Sequence, residues 1–155
     1  SRTIPVNGKY STRQRKVYDA CLEVFEYARN IIKPNTSIAE NHNKVCQKME
    51  AELIKLGLFS RNDVKKQNPK EPLFRNYFMH GTSHFMGLDT HDVGDRDILL
   101  KSGMILTCEP GIYIADEGIG IRIENDLLIT DTGNRDLMYD IPIYADDIEA
   151  IIKNR

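Results

Sequence analysis

Three of the four histidines fall within twelve residues, in the run Met79-His80-Gly81-Thr82-Ser83-His84-Phe85-Met86-Gly87-Leu88-Asp89-Thr90-His91, while His42 stands apart. Further along, Glu109 follows the apolar run Ile105-Leu106-Thr107-Cys108 and precedes Pro110-Gly111. Glu124 lies in Ile121-Arg122-Ile123-Glu124-Asn125-Asp126. Taken singly, each has a plain reading: a solvated carboxylate on a strand, or a histidine held by structural hydrogen bonds. Taken together they change meaning, because imidazole plus carboxylates from separate strands is the donor set of Mn, Fe or Zn. No thiolate pair competes for a softer site. If the segment is a strand, alternation puts Arg122 and Glu124 on one face, opposite Ile121 and Ile123.

These residues need elements to position them. Val17, Cys21, Val24, Ala28 and Ile31 recur at helical spacing, which predicts a helix over about 11–33 with Ser11 as N-cap and Pro34 as stop. A second helix is expected over about 37–57, with Ser37 and Glu40 as a capping box and Gly57 at the C-cap. Val45, Met49, Leu53 and Leu56 line its apolar face, and its charged residues read as solvated surface. Residues 59–72 read as an exposed loop. Strands are expected within about 73–130, at Met104–Cys108, Ile112–Ile114 and Gly120–Thr130, with a turn at Asp131-Thr132-Gly133-Asn134. Asp146 to Ile152 reads as a short helix. Helices first and strands later, without a repeated βα unit, give the class α+β.

Composition narrows the function. The 155 residues are 41% hydrophobic and 28% charged, the balance of a globular domain. Lys+Arg 21 against Asp+Glu 23 gives a net charge of -2, so no basic field serves nucleic acid. No apolar run approaches the roughly 18 residues of a membrane-spanning helix. Cys21, Cys46 and Cys108 are 25 and 62 residues apart, a pattern of free thiols in a reducing compartment. The expected location is the cytoplasm. The chain opens at Ser1-Arg2-Thr3 without a Met, as a piece of a longer protein would.

The order of His80 to Gly94, Thr107-Cys108-Glu109-Pro110-Gly111-Ile112-Tyr113 and Ile121-Arg122-Ile123-Glu124-Asn125-Asp126 resembles the signature segments of the aminopeptidase P family. These are Xaa-Pro aminopeptidases with the pita-bread fold of prolidase, creatinase and methionine aminopeptidase. Pro5-Val6-Asn7-Gly8-Lys9-Tyr10 and the two helices match the family's order as well. The resemblance implies that His84, Glu109 and Glu124 are metal ligands, with Glu124 bridging two divalent ions and Glu109 also the general base. It implies that His91 stabilises the tetrahedral intermediate, that His80 lines the substrate pocket, and that Arg122 steadies a carboxylate and the substrate. Mn is the expected metal, with Zn, Co or Fe as alternatives. The expected partners are peptides with proline in second position and further copies of the chain, not nucleic acid or membrane.

The pattern also departs from the family. Two further aspartate ligands belong on a hairpin upstream of the first long helix, and the family pattern here begins just after them. Asp95 and Asp97 lie on the wrong side of His84 to replace them. Residues 1–155 therefore read as the C-terminal portion of a catalytic domain with an incomplete site, inactive alone. Prolidase and a non-catalytic peptide-binding module are the competing readings. The retained His84, His91, Glu109 and Glu124 speak against the module.

Overall fold

Ser11 and Ser37 open the two long helices of the computed structural model, which describes residues 1–153. Helix α1 (Thr12–Ile31) begins with a reciprocal box: the Ser11 hydroxyl accepts from the Gln14 N–H, and the Gln14 side chain accepts from the Ser11 N–H. At its other end the Asn134 amide donates to the Arg29 and Ile32 carbonyls, both at 2.6 Å. Helix α2 (Ile38–Lys55) has half of the expected box. Ser37 caps the Glu40 N–H, but the Glu40 carboxylate pairs with Lys44 instead, 2.6 Å away. Gly57 follows with φ +77°, the left-handed conformation that ends the helix.

Segment 59–72, expected as loop, contains a third helix, α3 (Arg61–Lys66), started by a box between Ser60 and Asp63. The expected strand region from 73 begins with a 3-10 turn (Leu73–Asn76), and the first named strand appears only at β1 (Ile105–Cys108). Strand β2 (Gly111–Ile114), β3 (Ile119–Arg122), β4 (Asn125–Ile129) and β5 (Asn134–Asp136) follow, then helix α4 (Ala145–Lys153). Gly120–Thr130 is therefore two strands rather than one. They lie in different sheets: β1-β4-β5 form one antiparallel sheet and β2-β3 the other.

Helix α1 packs on α2, α4 and strands of both sheets. Its Val17, Tyr18, Cys21, Val24, Phe25 and Ala28 are wholly buried, and they meet Leu106, Cys108, Ile112, Ile123 and Leu127 in one core. Each aliphatic side chain taken from water there contributes about 1.5–3 kcal/mol. One charged residue contradicts the solvated-face expectation for α2. Glu52 is 3% exposed, held by Lys48 at 2.7 Å and Lys55 at 2.8 Å.

Candidate metal centre

Both candidate carboxylates sit where the chain changes sheet. Cys108 pairs with Asn125 in the first sheet, and Gly111 pairs with Arg122 in the second. Between these pairs lie Glu109-Pro110 on one side and Ile123-Glu124 on the other. The strand crossing leaves backbone groups that neighbours must satisfy. The Glu109 N–H donates to the Thr82 carbonyl at 2.8 Å and the Glu124 N–H to the Ser1 carbonyl at 3.0 Å. The Pro110 carbonyl accepts from the Ile123 N–H and from the buried Cys21 thiol. Burial still alternates through 121–129, so Arg122 and Glu124 keep one phase and Ile121 and Ile123 the other.

His84 reaches the crossing from a segment that runs beside β1. Its carbonyl accepts from the Thr107 N–H, its N–H donates to the Thr107 hydroxyl, and Phe85 bridges to Leu106. The ring Nδ1 faces the Phe85 carbonyl at 2.9 Å, which assigns the proton to Nδ1 and leaves the lone pair on Nε2. That lone pair faces Glu109 Oε1 at 3.3 Å. Two acceptors at this distance repel unless a cation or a proton lies between them. Ligand atoms of His84, Glu109 and Glu124 all fall within 4.8 Å of one another, and this is the one such triad among the described residues. The donor set fits a divalent ion.

A hydrogen-bonded chain leads away from Glu109. Its Oε2 lies 3.4 Å from Arg122 Nη1. Arg122 Nε donates to the Tyr113 hydroxyl at 2.8 Å, and that hydroxyl meets His80 Nε2 at 2.9 Å. His80 Nδ1 faces the Gly81 carbonyl at 2.8 Å, so the proton sits on Nδ1 and Nε2 accepts from Tyr113. Burial lowers the proton affinity of His80 and keeps it neutral. Burial likewise raises the Tyr113 hydroxyl, against the pull of Arg122. His91 is exposed and stacks edge-on against His84, ring centres 4.3 Å apart.

All six sequence candidates thus connect, in the order His91, His84, Glu109, Arg122, His80, with Glu124 completing the triad. Tyr113 is the link that residue types did not single out. Its signal lies in the glycines around it. A Cβ on Gly111 would stand 2.4 Å from the Tyr113 oxygen, and one on Gly120 would stand 3.3 Å from the ring. Only a side-chain-free track lets the tyrosine lie across the β2-β3 ribbon. Thr107 was likewise unmarked; its hydroxyl joins the His84 N–H to Glu109 Oε1.

Comparison with known proteins places this geometry. Residues 1–131 match the family model described as metallopeptidase family M24. The Xaa-Pro aminopeptidase of Escherichia coli (strain K12) is 44% identical over 167 aligned residues, covering 98% of this chain and 37% of the relative. The Haemophilus influenzae Xaa-Pro aminopeptidase is 37% identical, covering 98% and 38%. Among solved structures, zinc-substituted E. coli aminopeptidase P in complex with product superposes with a TM-score of 0.87 and 42% identity, over 99% of this chain and 37% of that one. Proline aminopeptidase P II from Yersinia pestis gives 0.88 and 40%, over 99% and 38%. The architecture is part of the pita-bread fold. The chain spans a little over a third of the length of these relatives.

Proposed function

This chain belongs to metallopeptidase family M24, and we propose on that footing that it carries the metal-holding part of an Xaa-Pro aminopeptidase site. The reaction is release of the N-terminal residue from a peptide whose second residue is proline. The convergence of His84, Glu109 and Glu124 within 4.8 Å is the observation that supports this most. His84 Nε2 and the carboxylates of Glu109 and Glu124 would hold the divalent metal. Bound there, such ions polarise a carbonyl and lower the pKa of water. Manganese suits the oxygen-rich donors.

The chain's own groups divide the remaining work. Glu109 takes the proton of the attacking water, and Arg122 holds its second oxygen so that the carboxylate cannot swing. The proline nitrogen leaves as a secondary amine and must gain a proton. His91, exposed beside His84, is placed to pass one. His80, kept neutral and fixed by Tyr113, lines the pocket for the Xaa-Pro unit. We further propose that residues 1–155 alone bind one ion weakly and turn over little, because three donors cannot hold two ions against water.

The test is hydrolysis of an Arg-Pro-Pro peptide by the full-length protein with Mn present, following the released first residue by chromatography. Glu124→Gln abolishes turnover under this reading. His91→Ala keeps metal binding and lowers the rate by about 10²–10⁴. Wild-type turnover by Glu124→Gln would remove the reading.

A further inference from the structure

The stretch 86–93 carries His91 past His84, and none of its residues is buried. Leu88 and Val93 stand in water, so apolar packing does not anchor this loop. Something polar must hold it. We infer that Asp92 is the clasp that fixes His91 against His84, and so a positioning residue for the proton passed to the leaving amine. The chemistry of this inference rests on the Xaa-Pro aminopeptidase reading; its geometry does not.

The carboxylate closes the backbone on both sides of His91. Asp92 Oδ2 accepts from the Leu88 N–H at 2.8 Å, and Oδ1 accepts from the Val93 N–H at 2.7 Å. A short acidic side chain suits this work, because it turns back readily onto neighbouring N–H groups. The Asp92 N–H in turn donates to the Phe85 carbonyl at 3.2 Å. That same oxygen faces His84 Nδ1 at 2.9 Å. Both histidines are thus referred to one atom, and their rings meet edge-on with centres 4.3 Å apart. Gly87 makes room for the clasp, since a Cβ there would overlap Asp92 Oδ2.

The division of labour follows from these contacts. The Asp92 side chain bonds within its own loop, whereas Glu109 has separate supports in the Thr107 hydroxyl and Arg122. Loss of the carboxylate therefore frees His91 and spares the ligand triad. A group displaced by about 1 Å can cost about 10²-fold in rate. Asp92 would act on the reaction through His91 alone.

The test has a structural arm and a kinetic arm. In metal-free full-length protein labelled at the histidine rings, a nuclear Overhauser cross-peak should join His84 and His91. Asp92→Ala should lose it, and Asp92→Asn, whose amide oxygen still accepts one N–H, should keep it. In the Arg-Pro-Pro assay, Asp92→Ala should lower kcat by up to about 10²-fold, with KM and divalent-ion uptake unchanged. The double variant Asp92→Ala/His91→Ala should be no slower than His91→Ala, because the two residues act as a unit. A cross-peak that survives Asp92→Ala overturns the proposal. So do losses that add in the double variant, or an Asp92→Asn variant as slow as Asp92→Ala. A wild type without turnover would instead remove the aminopeptidase reading, and the cross-peak would still decide the clasp.

Discussion

Glu109 and Glu124 face each other across the two points at which the chain passes between sheets, one on the way out along β1-β2 and one on the way back along β3-β4. Neither carboxylate lies within a regular ladder. Each is held by what flanks it, so the geometry of the site is fixed by strand pairing on both sides rather than by a flexible loop.

Arg122 should resist its most conservative replacement. Lysine offers a point charge and cannot reach both Glu109 Oε2 and the Tyr113 hydroxyl with a planar fork. At the proposed metal centre, Arg122→Lys should weaken divalent-ion binding by about 10–100-fold in a calorimetric titration. Unchanged affinity would mean that Arg122 does not orient the ligand.

Gly111→Ala tests the tyrosine track. The new methyl group would meet the Tyr113 oxygen at 2.4 Å and push the ring off its path. His80 Nε2 and Arg122 Nε then lose a shared partner, at about 1–3 kcal/mol. Urea denaturation should show that loss, and Tyr113→Phe should reproduce much of it without the clash.

Glu52→Ala should also destabilise, by about 1–3 kcal/mol in urea denaturation. The carboxylate is 3% exposed and receives two lysines. Its removal leaves the Lys48 ammonium only the longer contact to Glu23, at 3.4 Å, while Lys55 is already exposed. A neutral outcome would mark the pair as surface-like.

Stability should fall on the acid side through His42 and His80. Burial lowers both below the ordinary value of 6.5, with Arg96 adding to the effect at His42. The unfolded chain binds these protons more readily, so their contribution is complete above about pH 6.5 and lost as pH falls through the folded values. Urea midpoints between pH 7.5 and 5.5 should drop. The double variant His42→Gln/His80→Gln should show a shallower drop; an equal slope would assign the acid loss to other groups.

Much of this was legible from residue order. The helical spacing of Val17, Cys21, Val24 and Ala28 and the alternation of Ile121, Ile123 and Leu127 report one-sided burial, a property of neighbours in sequence. The break between Arg122 and Asn125 was not legible, because it is set by which strands Cys108 and Gly111 pair with. Helix α3 was hidden by its polarity, although Ser60 and Asp63 carried a cap signal. Burial of Glu52 depends on lysines a turn away on either side and on the packing of α1. No local pattern distinguishes it from the solvated glutamates beside it.

The β2-β3 hairpin closes through a 3-10 turn at Ala115–Glu117, with Gly118 in the left-handed region at φ +61°. That tip lies at the opposite end of the ladder from Glu109 and Glu124, with Ile114 and Ile119 as the pair nearest to it. Extra residues spliced in beside Asp116 would lengthen the ribbon's far end and leave the Gly111–Arg122 pairing in register. The tip is accordingly the place to graft a tag or a reporter domain, and a protein so altered should bind divalent ions as the unaltered one does.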